Sequence, residues 1–244
     1  MPARLYLDAA LQSGATLTLP AGPARHAQVL RMQPGESVTL FNGQGGEWSA
    51  TIVQMGRSDV RVLIGAHEPV ERELPWAVTL ALGVPANERM DALVEKATEL
   101  GVQRIQPLIC ERSVWRLAGE RADKKVQHWQ AVAQAACEQC GRTRVPVVAP
   151  VRALTDWLQH TAGEPALRWV LSLRGSTPLA DAAPADRALV CLSGPEGGWT
   201  DAEESAARAG GFLAVSLGPR VLRADTAPLA VLAHLAVSAT RAPH

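Results

Sequence analysis

Apolar and polar residues take alternate positions at Thr16–Leu19, Ser37–Phe41, Trp48–Val53 and Val60–Ile64, the period of strands with one buried face. Asn42-Gly43 and Gly45-Gly46, between the second and third of these, supply hairpin-turn residues. A short helical pattern from Ala24 to Met32 interrupts the series. The polar stretch Val70–Pro75 marks a boundary, because the texture beyond it changes. Apolar runs of strand length at Trp76–Leu82, Ile105–Cys110, Val145–Ala149, Leu167–Leu173, Ala188–Leu192 and Phe212–Leu217 now alternate with stripes of helical period. Those stripes predict helices over Asn87–Leu100, Asp123–Cys140, Thr155–Thr161, Thr200–Ala209 and Ala227–Thr240. In the first of them Asn87 reads as the cap and Gly101 as the stop. Lys96 reads as the partner of Glu99 three residues on. The pattern predicts two domains: a β-rich one over 1–72, and an α/β one over 73–244 with a mainly parallel sheet covered by helices on both faces.

Composition narrows the function class. The chain has 244 residues, 47% of them hydrophobic and 20% charged, as in a soluble globular protein. Its 24 basic and 24 acidic residues cancel, which argues against indiscriminate nucleic-acid binding and leaves room for a local basic face. Such an excess lies between Arg104 and Arg152, where nine basic residues face four acidic ones. MPARLYLD lacks the apolar core of a signal peptide, and a cytoplasmic protein is expected. Pro228–Ala239 is apolar nearly all round but only about twelve residues long, short of a membrane span. It reads either as a helix buried in its own chain or as one half of a dimer interface. Cys137 and Cys140 fall in a helical pattern without a second ligand pair, and the six histidines are scattered singly, so no metal is predicted.

Two loops carry the candidate chemistry. Ser193–Trp199, reading SGPEGGW, follows one apolar run and precedes a helix that Thr200 and Glu203 can cap as a box. Leu217–Pro228, reading LGPRVLRADTAP, follows the next run, with Thr226 as a plausible N-cap and Pro228 in the first helical turn. Each lies at the carboxyl end of a strand, where open α/β sheets bind ligands. Neither has the spacing of a P-loop or a dinucleotide fingerprint, which disfavours a dehydrogenase. An arginine-rich surface loop is the alternative reading of the second.

GPEGGW and LGPRVLRADTAP, together with KATELGV at Lys96–Val102 and EQCGR at Glu138–Arg142, resemble the RsmE family. These are bacterial methyltransferases of N3 of a uridine in 16S ribosomal RNA. They belong to the SPOUT superfamily, whose trefoil-knotted C-terminal domain binds S-adenosylmethionine. Asp225 departs from the pattern, since the family usually has Glu there. The resemblance implies a homodimer, a PUA-like β-barrel RNA-binding domain at the N-terminus, and the small ribosomal subunit RNA as partner. It also implies that the methyl donor sits across three loops. The first is Leu171–Gly175, with Leu171 and Leu173; Gly194, Pro195, Glu196, Gly197 and Gly198 come from the second. Leu217, Gly218, Val221 and Leu222 belong to the third, which leads to Thr226 and Ala227. Trp199 would either stack on the ligand or belong to the core.

The reaction implied needs no metal: the sulfonium and the ring nitrogen must be held in line. As N3 loses its proton, charge spreads onto the two carbonyl oxygens, where guanidinium groups stabilise it. Arg142 and Arg223 are expected in that role, with Glu138, Asp225 or solvent as the base. Glu138 and Arg142 could instead pair along the helix, although Gly141 ends it before Arg142. Arg25, Arg31, Arg112, Arg144 and Arg220 are the expected RNA contacts. The competing functions are a methyltransferase of the same fold acting on another ribosomal or transfer RNA base, and a non-catalytic RNA-binding or assembly protein.

Overall fold

Two sheets organise the chain in a computed structural model that describes residues 2–57, 59–115, 118–182 and 188–239. The first contains β1 (Ala3–Tyr6), β2 (Thr16–Thr18), β3 (Ser37–Phe41), β4 (Glu47–Met55) and β5 (Val60–Glu68), with helix α1 (Ala21–Val29) between β2 and β3. Its order is β1-β3-β4-β5-β2, with β1 parallel to β3 and the other pairs antiparallel, so the sheet is mixed. The alternation read from the sequence puts Val38, Leu40, Ile52, Val60, Val62 and Ile64 in the core. Ala24 and Ala27 of α1 join them. β1 was invisible to periodicity, because in four residues only Leu5 is buried. Helix α1 starts and stops three residues earlier than the pattern predicts. It ends where Arg31 takes a left-handed φ of 56° and the Met32 N–H returns to the Ala27 carbonyl. Glycine is usual at such a position.

The second sheet follows from β6 (Ala77–Gly83), β7 (Arg104–Ile109), β8 (Val147–Val148), β9 (Arg152–Ala153), β10 (Leu167–Leu171), β11 (Thr177–Pro178), β12 (Ala188–Ser193) and β13 (Leu213–Ser216). Its helices are α2 (Asn87–Glu99), α3 (Gly119–Cys140), α4 (Leu154–His160), α5 (Asp201–Ala209) and α6 (Thr226–Ala239). The order β11-β13-β10-β12-β6-β7-β8 is parallel throughout, and β9 pairs with β7. Buried on both faces, its strands read as continuous apolar runs. Leu80, Leu82, Trp169 and Cys191 pack with Met90, Trp129 and Leu232 of α2, α3 and α6. The intervening Ala81, Val170 and Leu192 pack with Trp157 and Ala207 of α4 and α5. Four helix starts differ from expectation: the cap position of α2 falls on Ala86, α3 begins four residues early at Gly119, α4 begins at Leu154 and α6 at Thr226 itself. Lys96 Nζ meets Glu99 at 2.8 Å, as the spacing predicts, and Glu95 at 2.7 Å. Among the described residues no helix is long and apolar enough to cross a membrane.

The chain divides into two compact units, but not by a single cut near residue 72. Gln134–Val145 clusters with Met1–Glu73, and Leu74–Ala133 with Pro146–His244. The reason is a set of long-range bonds within the first unit. Glu138 accepts from the Tyr6 N–H at 2.8 Å, Arg72 donates to the Gly141 carbonyl at 2.8 Å, and the Gly45 N–H donates to the Thr143 carbonyl at 3.1 Å. Glu47 sits between Arg4, at 2.5 Å, and Arg72, at 3.1 Å. Burial alone would raise the Glu47 carboxyl, but hydrogen bonds from Arg72 and Arg4 outweigh it and hold it below its ordinary 4.5. The stability it contributes is present above that value and is lost as pH falls through the lowered one. Denaturant melts of the wild type and Glu47→Gln should therefore differ at pH 6 and converge as the pH drops below 4.5. A constant difference would exclude this linkage.

Candidate active site

The carboxyl ends of three adjacent strands, β13, β10 and β12, open onto one cavity of about 580 Å³. That volume suits a nucleoside-sized ligand. The first wall is the turn after β10, with Leu171, Ser172, Leu173 and Arg174. The second follows β12 and presents Ser193, Gly194, Pro195, Glu196, Gly198 and Trp199. The third follows β13, where Leu217, Arg220, Val221, Leu222 and Arg223 lead to Ala227 at the start of α6. Val221 is 82% exposed and Leu173 57%, so the mouth offers apolar surface that a bound molecule could cover.

The middle loop is fixed from several sides. At the end of β6, Gly83 lies so close that a Cβ there would stand 2.5 Å from the Pro195 nitrogen. Arg112, after β7, donates to the carbonyls of Gly197 at 3.2 Å and Trp199 at 3.1 Å. Glu196 accepts from the Ala86 N–H at 2.9 Å, at the start of α2, and lies 3.5 Å from Arg89. The expected capping box is present: Thr200 Oγ1 accepts from the Glu203 N–H and the Glu203 carboxylate from the Thr200 N–H. Its other oxygen accepts from the Glu111 N–H at 2.8 Å. Trp199 lines the cavity, packs partly buried against the core beside α5, and donates its Nε1 to the Leu171 carbonyl at 3.1 Å.

Of the thirteen residues expected around a cofactor, ten line the cavity and Gly197, Gly218 and Thr226 do not. Arg112 and Arg220, expected on RNA, and Arg223, expected in catalysis, also line it. Arg220 and Arg223 are exposed and make no ion pair among the described residues. Sequence reasoning missed Gly83, Arg89 and Glu204, and it had Ser172 and Arg174 only as part of the loop Leu171–Gly175. Glu204 follows the capping-box residue and reads as one more first-turn carboxylate facing the helix dipole. In fact it is 9% exposed and accepts from Ser172 Oγ at 2.7 Å and Arg208 Nη2 at 2.8 Å. Burial would raise its carboxyl, but those hydrogen bonds prevail and lower it.

Glu138, Arg142, Arg144, Arg25 and Arg31 belong to the first unit. Arg142 is 4% exposed and does not pair with Glu138. It grips both carboxylate oxygens of Glu73, through Nε at 2.9 Å and through Nη2. Glu138 is engaged by the Tyr6 N–H and by His26 at 3.7 Å. Arg144 meets Glu71 at 2.7 Å, whereas Arg25 and Arg31 are exposed without an ion partner among the described residues. Asp225 keeps one buried carboxylate oxygen without a hydrogen-bond partner. Burial pushes the thiols of Cys110, Cys137 and Cys191 up to about 12, which leaves them protonated at neutral pH. Among the described residues no group of three histidines, cysteines or carboxylates is placed to hold a metal ion.

Known proteins share this sequence pattern and fold. Residues 72–236 match the model of an RNA methyltransferase domain, and residues 23–65 that of an RNA methyltransferase PUA domain. The chain is 35% identical over 228 residues to ribosomal RNA small subunit methyltransferase E of Synechocystis, covering 91% of this chain and 73% of that one. Its fold is similar to a Legionella pneumophila methyltransferase solved with S-adenosylmethionine, with TM-score 0.92, 35% identity and 98% of each chain covered. It is equally similar to ribosomal RNA small subunit methyltransferase E of Neisseria gonorrhoeae bound to S-adenosylmethionine, with TM-score 0.91, 39% identity, and 96% and 97% of the chains covered. With residues 72–236 matched by the methyltransferase model and nearly the whole chain matched by these relatives, the chain belongs to the ribosomal RNA small subunit methyltransferase E (RsmE) family.

Proposed function

We propose that this protein methylates N3 of a uridine in the 16S ribosomal RNA, with S-adenosylmethionine as methyl donor. The observation that carries this reading is the cavity at the ends of β13, β10 and β12, lined by ten of the positions that the family resemblance assigns to the cofactor. Its residues fit the donor. Leu171, Leu217 and Leu222 offer apolar walls for an adenine ring, and the close-packed GPEGGW backbone offers polar groups for its edge. When bound, the donor supplies an electrophilic methyl group on sulfur. Arg223, at the wall and without a carboxylate partner among the described residues, stabilises charge developing on the uracil carbonyls, and Arg220 beside it attracts the RNA backbone. Arg142 and Glu138 act by fixing the EQCGR turn, because their side chains are already held by Glu73 and by Tyr6.

Arg25 and Arg31 are the RNA contacts of the first unit, being exposed and unpaired among the described residues. We further read the chain as a cytoplasmic homodimer with the knotted threading of its superfamily. The support for a dimer is α6, which its own chain covers only in part. Pro228, Val231, Leu232 and Leu235 are buried, while Val237 is 61% exposed.

Calorimetry should show S-adenosylhomocysteine binding at about one site per chain and NAD binding poorly. No heat from either sulfur ligand on folded protein would sink the methyltransferase reading. Mapping base modifications in a strain lacking the gene then separates the substrates. Loss of one N3-methyluridine from 16S RNA is expected, and loss confined to transfer RNA would redirect the assignment. Arg25→Ala with Arg31→Gly, which suits the left-handed backbone at 31, should weaken RNA binding and flatten its salt dependence. An unchanged salt slope would remove these two arginines from the RNA contact.

A further inference from the structure

The turn that forms the first wall of the cavity is held in an unusual way. The Ser172 N–H donates to the Val215 carbonyl at 3.1 Å, the last ladder-like bond of β10. Beyond it the turn hangs from polar side chains of α5. The Arg174 N–H donates to Ser172 Oγ at 3.0 Å, and that hydroxyl donates to Glu204 at 2.7 Å. Arg208, one helical turn after Glu204, donates to the same carboxylate oxygen at 2.8 Å. It also reaches the turn directly, at the Arg174 carbonyl (2.6 Å) and the Gly175 carbonyl (3.4 Å). Ser172, Arg174, Arg208 and Glu204 thus close a ring. Behind the ring lies a shallow recess of about 360 Å³ lined by Arg174, Gly175, Asp201, Glu204, Ser205 and Arg208. Gly175 apart, its lining side chains are polar or charged, and no large apolar side chain lines it to support the turn from that side.

We propose that Arg208 is a positioning residue for the cofactor: through Glu204 and the two turn carbonyls it brackets Ser172–Gly175 and so sets cofactor affinity. This rests on the function proposed above. Arg208 lines no part of the ligand cavity, whereas Leu171, Ser172, Leu173 and Glu204 do. An ordered turn presents Leu171 and Leu173 in place before the ligand arrives. A turn that is ordered only a tenth of the time weakens apparent affinity about tenfold, because only the competent fraction binds.

Arg208→Ala, Arg208→Lys, Ser172→Ala and the Arg208→Ala/Ser172→Ala double variant provide the test. In cofactor-free protein, Arg208→Ala should speed hydrogen exchange of the amides at 172–175 without speeding exchange in β10 or β12. Its Kd for S-adenosylhomocysteine should rise about tenfold, with Arg208→Lys intermediate. The double variant should lose less than the product of the single losses, since both sever the same ring. Wild-type affinity in Arg208→Ala would overturn the proposal. So would a fall in melting temperature with unchanged exchange at 172–175. Failure of the wild type to bind any sulfur ligand would remove the cofactor reading instead, and the exchange measurement would still report on the bracket.

Discussion

Gly197→Val should lower affinity for S-adenosylhomocysteine by up to about a hundredfold and leave the protein folded. The reason lies in Arg112, not in the ligand. A Cβ at position 197 would stand 2.8 Å from the Arg112 Cβ and 3.1 Å from its carbonyl oxygen, so the loop must move off the residue that anchors it. Forcing extra carbons into a tight contact costs about 1–3 kcal/mol. If that strain is relieved by displacing the loop, it appears as lost binding at about tenfold per 1.4 kcal/mol. Position 197 is exposed, which is why the fold should tolerate the change. Gly83→Ala attacks the same loop from the other side, where even a methyl group would meet the Pro195 nitrogen at 2.5 Å and the Gly194 carbonyl carbon at 3.0 Å. Calorimetry beside a melting curve checks both. Full affinity in both variants would show that the close packing of GPEGGW is irrelevant to the cavity.

Arg142→Ala should destabilise the first unit by about 3–5 kcal/mol, the usual consequence of removing one partner from a buried ion pair. Glu73, 13% exposed, would be left with an uncompensated charge. Arg142→Lys keeps the charge but not the planar fork that meets both carboxylate oxygens, so it should recover only part of the loss. The double variant Arg142→Met/Glu73→Leu should be far less destabilised than Arg142→Ala, because neither charge is then stranded. The competing role, stabilising charge on the base, predicts a different signature: about 10²–10³ in rate at saturating RNA and cofactor, with melting unchanged. Single-turnover methylation and denaturant melts on the same variants decide between the two. An unaltered melting curve in Arg142→Ala would refute the structural assignment.

Much of this protein follows from the sequence because its determinants are local. Alternation at Ser37–Phe41 and Val60–Ile64 records one buried face, and the apolar runs from Trp76 onward record strands buried on both. The capping box at Thr200 and Glu203 involves neighbours three residues apart. The GPEGGW and LGPRVLR loops announce themselves by glycine, proline and arginine at strand ends, and the RsmE family was legible from them. What the sequence could not contain is the order of strands in the sheet. Only the placement of β10 between β13 and β12 brings Leu171, Gly194 and Leu217 to one cavity. The same limit hid every long-range side-chain partner. Arg142 looked available because its nearest carboxylate along the chain was Glu138, but it binds Glu73, sixty-nine positions away. Glu204 looked like a helix-dipole residue, yet it holds Ser172, thirty-two positions away. Gly83 closes a strand and carries no signal of its own until Pro195 lies against it. Hydrophobic period reports how much of a residue is buried, whereas the identity of a charged side chain's partner is decided by which strands and turns the chain brings beside it.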